Sequence, residues 1–274
     1  MIKDALRLQF DMGLSLAEYG WSLATSRTID HHSKQGNGAR PVMLIPGFYA
    51  PENSLGHLAR FLNRNGFDAH GWGLGTNIGP TADGFKVYIE DVAESLLPKV
   101  RELTNKHGCG VSLIGHSLGG VCARELALHL HPCIDRVITL GAPIFPLESL
   151  DDHNSILRWL GERQMKRGME EVFVDIGTEH WPPYSPELPY IAIVSPIDAA
   201  VSEEYALIPQ ITVNSSDAPA IRENVRIVAS HSGMGVNPNM LIAVADRLCA
   251  DVNNWKTFDH SCLKPLGLLA SSPR

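Results

Sequence analysis

The 274-residue chain is poor in the features that mark several large protein classes. Its five cysteines (Cys109, Cys122, Cys133, Cys249 and Cys262) are odd in number, form no CxxC pair and adjoin no HxxxH-type cluster. Neither a disulfide framework nor a zinc ribbon is legible, and the expectation is reduced thiols in a cytoplasmic setting. No apolar run reaches the roughly 18 residues that a membrane-spanning helix needs; the longest candidate, VITLGAPIFPL at 137–147, is broken by Gly141, Pro143 and Pro146. The opening segment MIKDALRLQFDMGLSLAEYGW places Asp4, Asp11 and Glu18 where a secretory signal needs an uncharged stretch, and no AxA-like cleavage site follows. Export by that route is not expected. Positive charge is short as well: 23 Lys and Arg against 30 Asp and Glu leave a formal net charge of -7. Such a chain has no general attraction for phosphate backbones, and no nucleic-acid partner is expected. Fixed-period repeats and low-complexity tracts are missing too, which sets aside solenoids and propellers.

What is present suits one large globular domain spanning 1–274. Apolar residues make up 44% and charged residues 19%, and a chain of this length removes about 70 to 75% of its unfolded surface from water. Residues 2–25 carry Leu6, Phe10, Leu14, Ala17 and Trp21 compatibly with a helix, and a helical extension over 1–35 docked on the body is expected. Lys3 and Arg7 are few for an interfacial anchor, although weak association with a membrane surface stays open. From Pro41 onward, apolar strand-like runs (PVMLIPG, FDAHG, CGVSLIG, RVITLGAP, YIAIVSPID, NVRIVAS) alternate with helix-like segments. That alternation is the signature of βαβ units and predicts an α/β fold with a mainly parallel sheet and helices on both faces. Residues 144–189 do not continue the pattern, and a stretch so long is expected to form a cap or lid over the carboxyl ends of the strands, where such sheets place their ligands.

Chemistry concentrates in VSLIGHSLGGVCARELALHL, where Gly115, Ser117 and Gly119 form GxSxG directly after an apolar strand and directly before a helix. A nucleophile on so sharp a turn must project its hydroxyl while the backbone passes close to its neighbours, and glycines remove the Cβ atoms that would collide. The following helix points its N-terminus, with its unpaired N–H groups, at the place where an oxyanion would develop. A serine hydroxyl needs a base, and the base needs an acid to orient it. Asp198 follows the strand YIAIV and His231 follows NVRIVAS, giving the order Ser, Asp, His. Asp175 and Asp217 are reserve acids. His116, inside the turn, is expected to support packing and backbone rather than act as the base, because its side chain leaves in another direction.

With these residues the chain resembles the α/β-hydrolases of the lipase and esterase type, in particular small bacterial lipase-like enzymes with an HSLGG elbow and a terminal HSGM segment; the likeness spans roughly residues 40–250. The resemblance implies a serine hydrolase of carboxylic esters acting through an acyl-enzyme, with small-molecule or lipid-like esters as substrates. Thioesterase or acyltransferase activity with the same triad and a non-catalytic binding module are the alternatives. It further implies that one oxyanion donor is the backbone N–H of Leu118 and the other that of Phe48, with Tyr49 as fallback. Pro46-Gly47 stands where many relatives carry His-Gly. No cofactor is implied. GWGLGTNIG at 71–79 lacks the third glycine of a dinucleotide fingerprint, since position 76 is Thr76. No metal is implied either, since Asp151, Asp152 and His153 read as a solvated helix start. Ile156, Leu157, Trp159, Leu160, Trp181, Pro182, Pro183 and Tyr184 in the cap are expected to line an apolar pocket or to pack the cap on the core.

Overall fold

The four inner strand-forming runs are mostly apolar at successive positions, as strands covered on both faces must be, whereas the edge runs Asp68–Gly71 and Arg222–Arg226 are not. The computed structural model describes residues 2–36, 38, 40–80, 84–143, 188–208 and 221–266. Six strands form one sheet: β1 (Pro41–Ile45), β2 (Asp68–Gly71), β3 (Val111–His116), β4 (Ile134–Leu140), β5 (Tyr190–Val194) and β6 (Arg222–Arg226). Their order is β2-β1-β3-β4-β5-β6, and every pairing is parallel. Alternate side chains divide between two cores. Met43, Ile45, Leu113 and Val137 join one, against helices α4 (Gly84–His107) and α5 (Leu118–His129). Val42, Leu44, Ile114 and Ile138 join the other, against α2 (Ser26–His32), α3 (Gly56–Arg64) and α7 (Pro238–Cys249). A short helix α6 (Glu203–Ala206) follows β5.

Helix stops lie where glycine allows a left-handed backbone. α3 ends before Gly66 at φ +79° and α4 before Gly108 at φ +67°. Because β1 sends the chain to β2 on one side and then to β3 on the other, the order reverses between β1 and β3. At such a reversal the loops leaving the two strands diverge and open a crevice beyond their carboxyl ends.

Helix α1 (Ile2–Ala24) turns much of its apolar surface outward. Leu6 and Phe10 are 58% and 70% exposed, and Met12, Leu16 and Leu23 also face solvent. Asp11 and Ser22 are each 1% exposed instead. Trp21 packs against the core edge, but the helix meets the body mainly through polar groups whose burial is compensated by hydrogen bonds. No described helix is long and apolar enough to cross a membrane. The cap residues named above, together with Asp151, Asp152, His153, Asp175 and Asp217, lie outside the described residues.

Candidate active site

Ser117 joins β3 to α5 without an intervening loop, at φ +53° and ψ -126°. Residues other than glycine avoid this region, and the structure supplies what holds it there. The Ser117 N–H donates to Leu140 O (2.9 Å) at the end of β4, and the Ser117 carbonyl accepts from Gly120 N–H (2.8 Å). A Cβ on Gly115 would lie 2.0 Å from Gly119 O, and one on Gly119 would lie 2.3 Å from Ile45 O. The two glycines are therefore required by close backbone approach, as the GxSxG pattern suggested. A serine at a helix N-cap ordinarily spends its hydroxyl on its own helix. Ser117 occupies the cap position of α5 but makes no side-chain cap bond.

The loops after β5 and β6 bring Asp198 and His231 together, with His231 Nδ1 2.8 Å from Asp198 Oδ2. The other carboxylate oxygen, Oδ1, accepts the N–H groups of Ala200 (2.7 Å) and Val201 (2.8 Å), which fixes its plane. Gly141, at φ +53°, passes so close that a Cβ there would lie 2.7 Å from Asp198 Oδ2. A carboxylate only accepts, so the proton on the ring sits on Nδ1 and Nε2 carries a lone pair. Burial pushes the His231 imidazole toward the neutral form, but the Asp198 charge and hydrogen bond, with the Asp11 charge, outweigh it and raise its pKa above the ordinary value. β6 ends at Arg226, so His231 stands in the loop rather than at the strand end, although Ile227 N–H still pairs with Val194 O (2.8 Å).

His116 sits between the elbow and this loop. Its Nε2–H donates to the His231 carbonyl (2.9 Å), and the two ring centroids are 4.7 Å apart. Burial, then the neighbouring His231, drive its pKa down to about 3, so it stays a neutral support. The loop after β1 crosses above the serine: a Cβ on Gly47 would lie 3.2 Å from Ser117 Cβ.

Asn77, fully buried, holds that loop in place. Its Nδ2 donates to Pro46 O (2.7 Å), its carbonyl accepts Tyr49 N–H (2.7 Å), and its Oδ1 accepts Tyr88 Oη–H (2.6 Å) from α4 and Gly79 N–H (3.1 Å). The Tyr49 N–H is thus already engaged, whereas Leu118, as the first residue of α5, has a backbone N–H with no partner inside its own helix. Nothing in the sequence singles Asn77 out from the surrounding glycine-rich loop. Asp11 and Glu18, which in the sequence only mark the opening segment as unlike a signal peptide, also reach this site; their spacing of seven on one helix face is the sole signal that could have paired them.

A family model described as serine aminopeptidase, S33, matches residues 38–178, just over half of the chain. No curated protein matches it in sequence. Among solved structures, the mature form of the Bacillus licheniformis lipase BlEst2 superposes with a TM-score of 0.51 at 17% identity, covering 79% of this chain and 94% of that one. The monoacylglycerol lipase of Paleococcus ferrophilus gives 0.50 at 17% identity over 79% and 96%. A soluble variant of monoglyceride lipase from Saccharomyces cerevisiae, solved with a substrate analogue, gives 0.52 at 16% over 79% and 89%. At these identities the structural likeness speaks to the fold, which is that of the α/β-hydrolases.

Proposed function

Since the chain belongs to the family described as serine aminopeptidase, S33, we propose that it is a serine hydrolase of carboxylic esters with apolar chains. Ser117 is the nucleophile, His231 the base and Asp198 the residue that orients it. The observation that carries this reading is the 2.8 Å bond between His231 Nδ1 and Asp198 Oδ2, on a loop whose His231 carbonyl is bonded by His116, the residue before a serine held at φ +53°. A fold alone would not suffice, because one scaffold hosts many chemistries.

In the proposed cycle the Nε2 lone pair of His231 takes the Ser117 proton as the oxygen attacks the ester carbonyl, and Asp198 stabilises the imidazolium that forms. The Leu118 and Phe48 N–H groups receive the oxyanion. The engaged Tyr49 N–H leaves Phe48 as the better second donor. His231 then gives its proton to the leaving alcohol, forming the acyl-enzyme, and water repeats the steps to release the acid. The apolar preference is supported by Tyr49, Leu74, Ile78 and Ile197, which expose between 38% and 56% of their surface on loops that follow β1, β2 and β5, at the site's end of the sheet. A non-catalytic module has no need of an imidazole oriented by a carboxylate, nor of a serine at a helix cap that makes no cap bond.

Labelling with a fluorophosphonate probe tests the reading without the natural substrate. The wild-type chain should react and Ser117→Ala should not; an unreactive wild type overturns the proposal. A series of p-nitrophenyl esters should show turnover rising beyond acetate, and a strict acetate preference would remove the apolar pocket from it. Faster turnover of aminoacyl p-nitroanilides than of any ester would move the substrate class to amides, and transfer to added alcohols would mark an acyltransferase.

A further inference from the structure

The loop that carries His231 is held from outside the sheet by α1. Asp11 and Glu18 lie seven positions apart on that helix, two turns along one face. Asp11 Oδ1 accepts the His231 N–H (2.7 Å) and Oδ2 the Ser232 N–H (2.9 Å). Glu18 Oε1 accepts the Ser230 N–H (2.9 Å) and Asn237 Nδ2 (2.8 Å), and Oε2 accepts the Ser230 hydroxyl. Three consecutive backbone donors, belonging to no helix or strand, are therefore satisfied by two carboxylates from one helix. Through Asn237, which caps α7 by accepting from Asn239 and Met240 N–H, Glu18 also ties the loop to the last helix.

The fit is close. A Cβ on Gly233 would fall 1.6 Å from Glu18 Oε2 and 2.4 Å from the Ser230 hydroxyl, so the loop is shaped around the carboxylate. Burying a carboxylate is unfavourable unless its lone pairs are used, and α1 turns these acids inward while leaving Leu6, Phe10 and Leu16 in solvent. An arrangement that inverts the usual amphipathic preference calls for a local reason, and five donors on the His231 loop supply it.

We propose that α1 is a positioning element of the active site: Asp11 and Glu18 hold residues 230–232 so that the His231 ring is aimed at the elbow, and Asp11 adds a second negative charge beside the imidazole. This rests on the reading of His231 as the base. The titratable groups facing His231 among the described residues are Asp198 from the loop after β5, His116 from the end of β3 and Asp11 from α1, with Glu18 behind Ser230. The two acids of α1 therefore have separable roles. Asp11 acts by charge and by position. Glu18 acts by position alone, and its charge is not among the influences on the His231 pKa.

The test compares Asp11→Asn and Glu18→Gln with the wild type, using p-nitrophenyl butyrate turnover and the NMR titration of the His231 ring. Misaiming a catalytic group by about 1 Å costs on the order of 10²-fold. Both variants should lower kcat by about 10- to 100-fold with KM within about twofold, a split that follows from misalignment and not from weaker binding. The His231 titration and the acidic limb of the rate profile should move to lower pH in Asp11→Asn, and should stay near the wild-type position in Glu18→Gln. Unchanged kcat in both folded variants, or an Asp11→Asn titration identical to wild type, overturns the proposal. The titration needs no turnover, so a chain inert to fluorophosphonate would sink the hydrolase reading while still testing the α1 contacts. Should the variants fail to fold, amide exchange in the wild type decides. The N–H groups of 230–232 should exchange as slowly as those of α7, and exchange at the rate of an open loop contradicts the clamp.

Discussion

His116 donates its Nε2–H to the backbone carbonyl of His231 at 2.9 Å, yet the two neighbouring imidazoles, tilted with centroids 4.7 Å apart, have their pKa values shifted in opposite directions. His116 is lowered to about 3 because burial, then the neighbouring His231 imidazole, outweigh the hydrogen bond to the His231 carbonyl and the Asp198 charge, which oppose them. His231 is raised because Asp198 and Asp11 outweigh the same burial.

The rate of ester hydrolysis should therefore depend on a single imidazole in the acidic range. Activity is expected to fall as pH drops through a pKa raised above the ordinary histidine value, because the protonated ring cannot accept from Ser117. Stability should behave differently. His231 stabilises the fold at pH below the unfolded histidine value and loses that contribution as pH rises through its own raised one. His116, depressed in the fold, weakens it as pH falls from the ordinary histidine value toward about 3. A pH series of kcat/KM beside chemical denaturation separates the two.

Asp198→Asn should abolish most turnover without removing the pair. The amide can present an N–H to His231 Nδ1, which then holds a lone pair and shifts the ring proton to Nε2, the nitrogen proposed to accept from Ser117. By comparison with the equivalent change in a serine-protease triad, kcat should fall by on the order of 10⁴. Burst kinetics with a p-nitrophenyl ester would show slow acylation.

Gly141→Ala should damage stability and rate together. The residue sits at φ +53°, and its Cβ would lie 2.7 Å from both Asp198 Oδ2 and Met234 Sδ. The left-handed backbone alone costs about 1–3 kcal/mol for a residue with a side chain, and relief requires moving the carboxylate that orients His231. Thermal unfolding and kcat measured on one preparation should both drop; a stable, fully active variant would contradict the described approach.

Asn77→Ala removes the link between the loop after β1 and α4. Pro46 O, Gly79 N–H and Tyr88 Oη–H lose their partner, at a cost of about 1–3 kcal/mol for buried groups left unsatisfied. Rate should suffer more than substrate binding, because losing one oxyanion donor costs about 2.7–4 kcal/mol in the transition state. Steady-state kinetics should show kcat falling with little change in KM.

The parallel sheet and the elbow around Ser117 were legible in the chain, because each depends on residues within one turn or one strand of one another. Local sterics suffice there: a glycine two places from Ser117 is needed whatever the rest of the molecule does. The pairing of Asp198 with His231 was anticipated only as an order of residues after strands, and folding turned that order into a 2.8 Å bond. The support of the site was not legible. Asn77 is one polar residue in a glycine-rich loop, and Asp11 and Glu18 are separated from His231 by more than two hundred positions. Their worth lies in which backbone donors they meet, and no local pattern encodes a contact with a distant loop. The helical period marked α1 as a helix, and five hydrogen-bond donors on that loop decided which side of it turned inward.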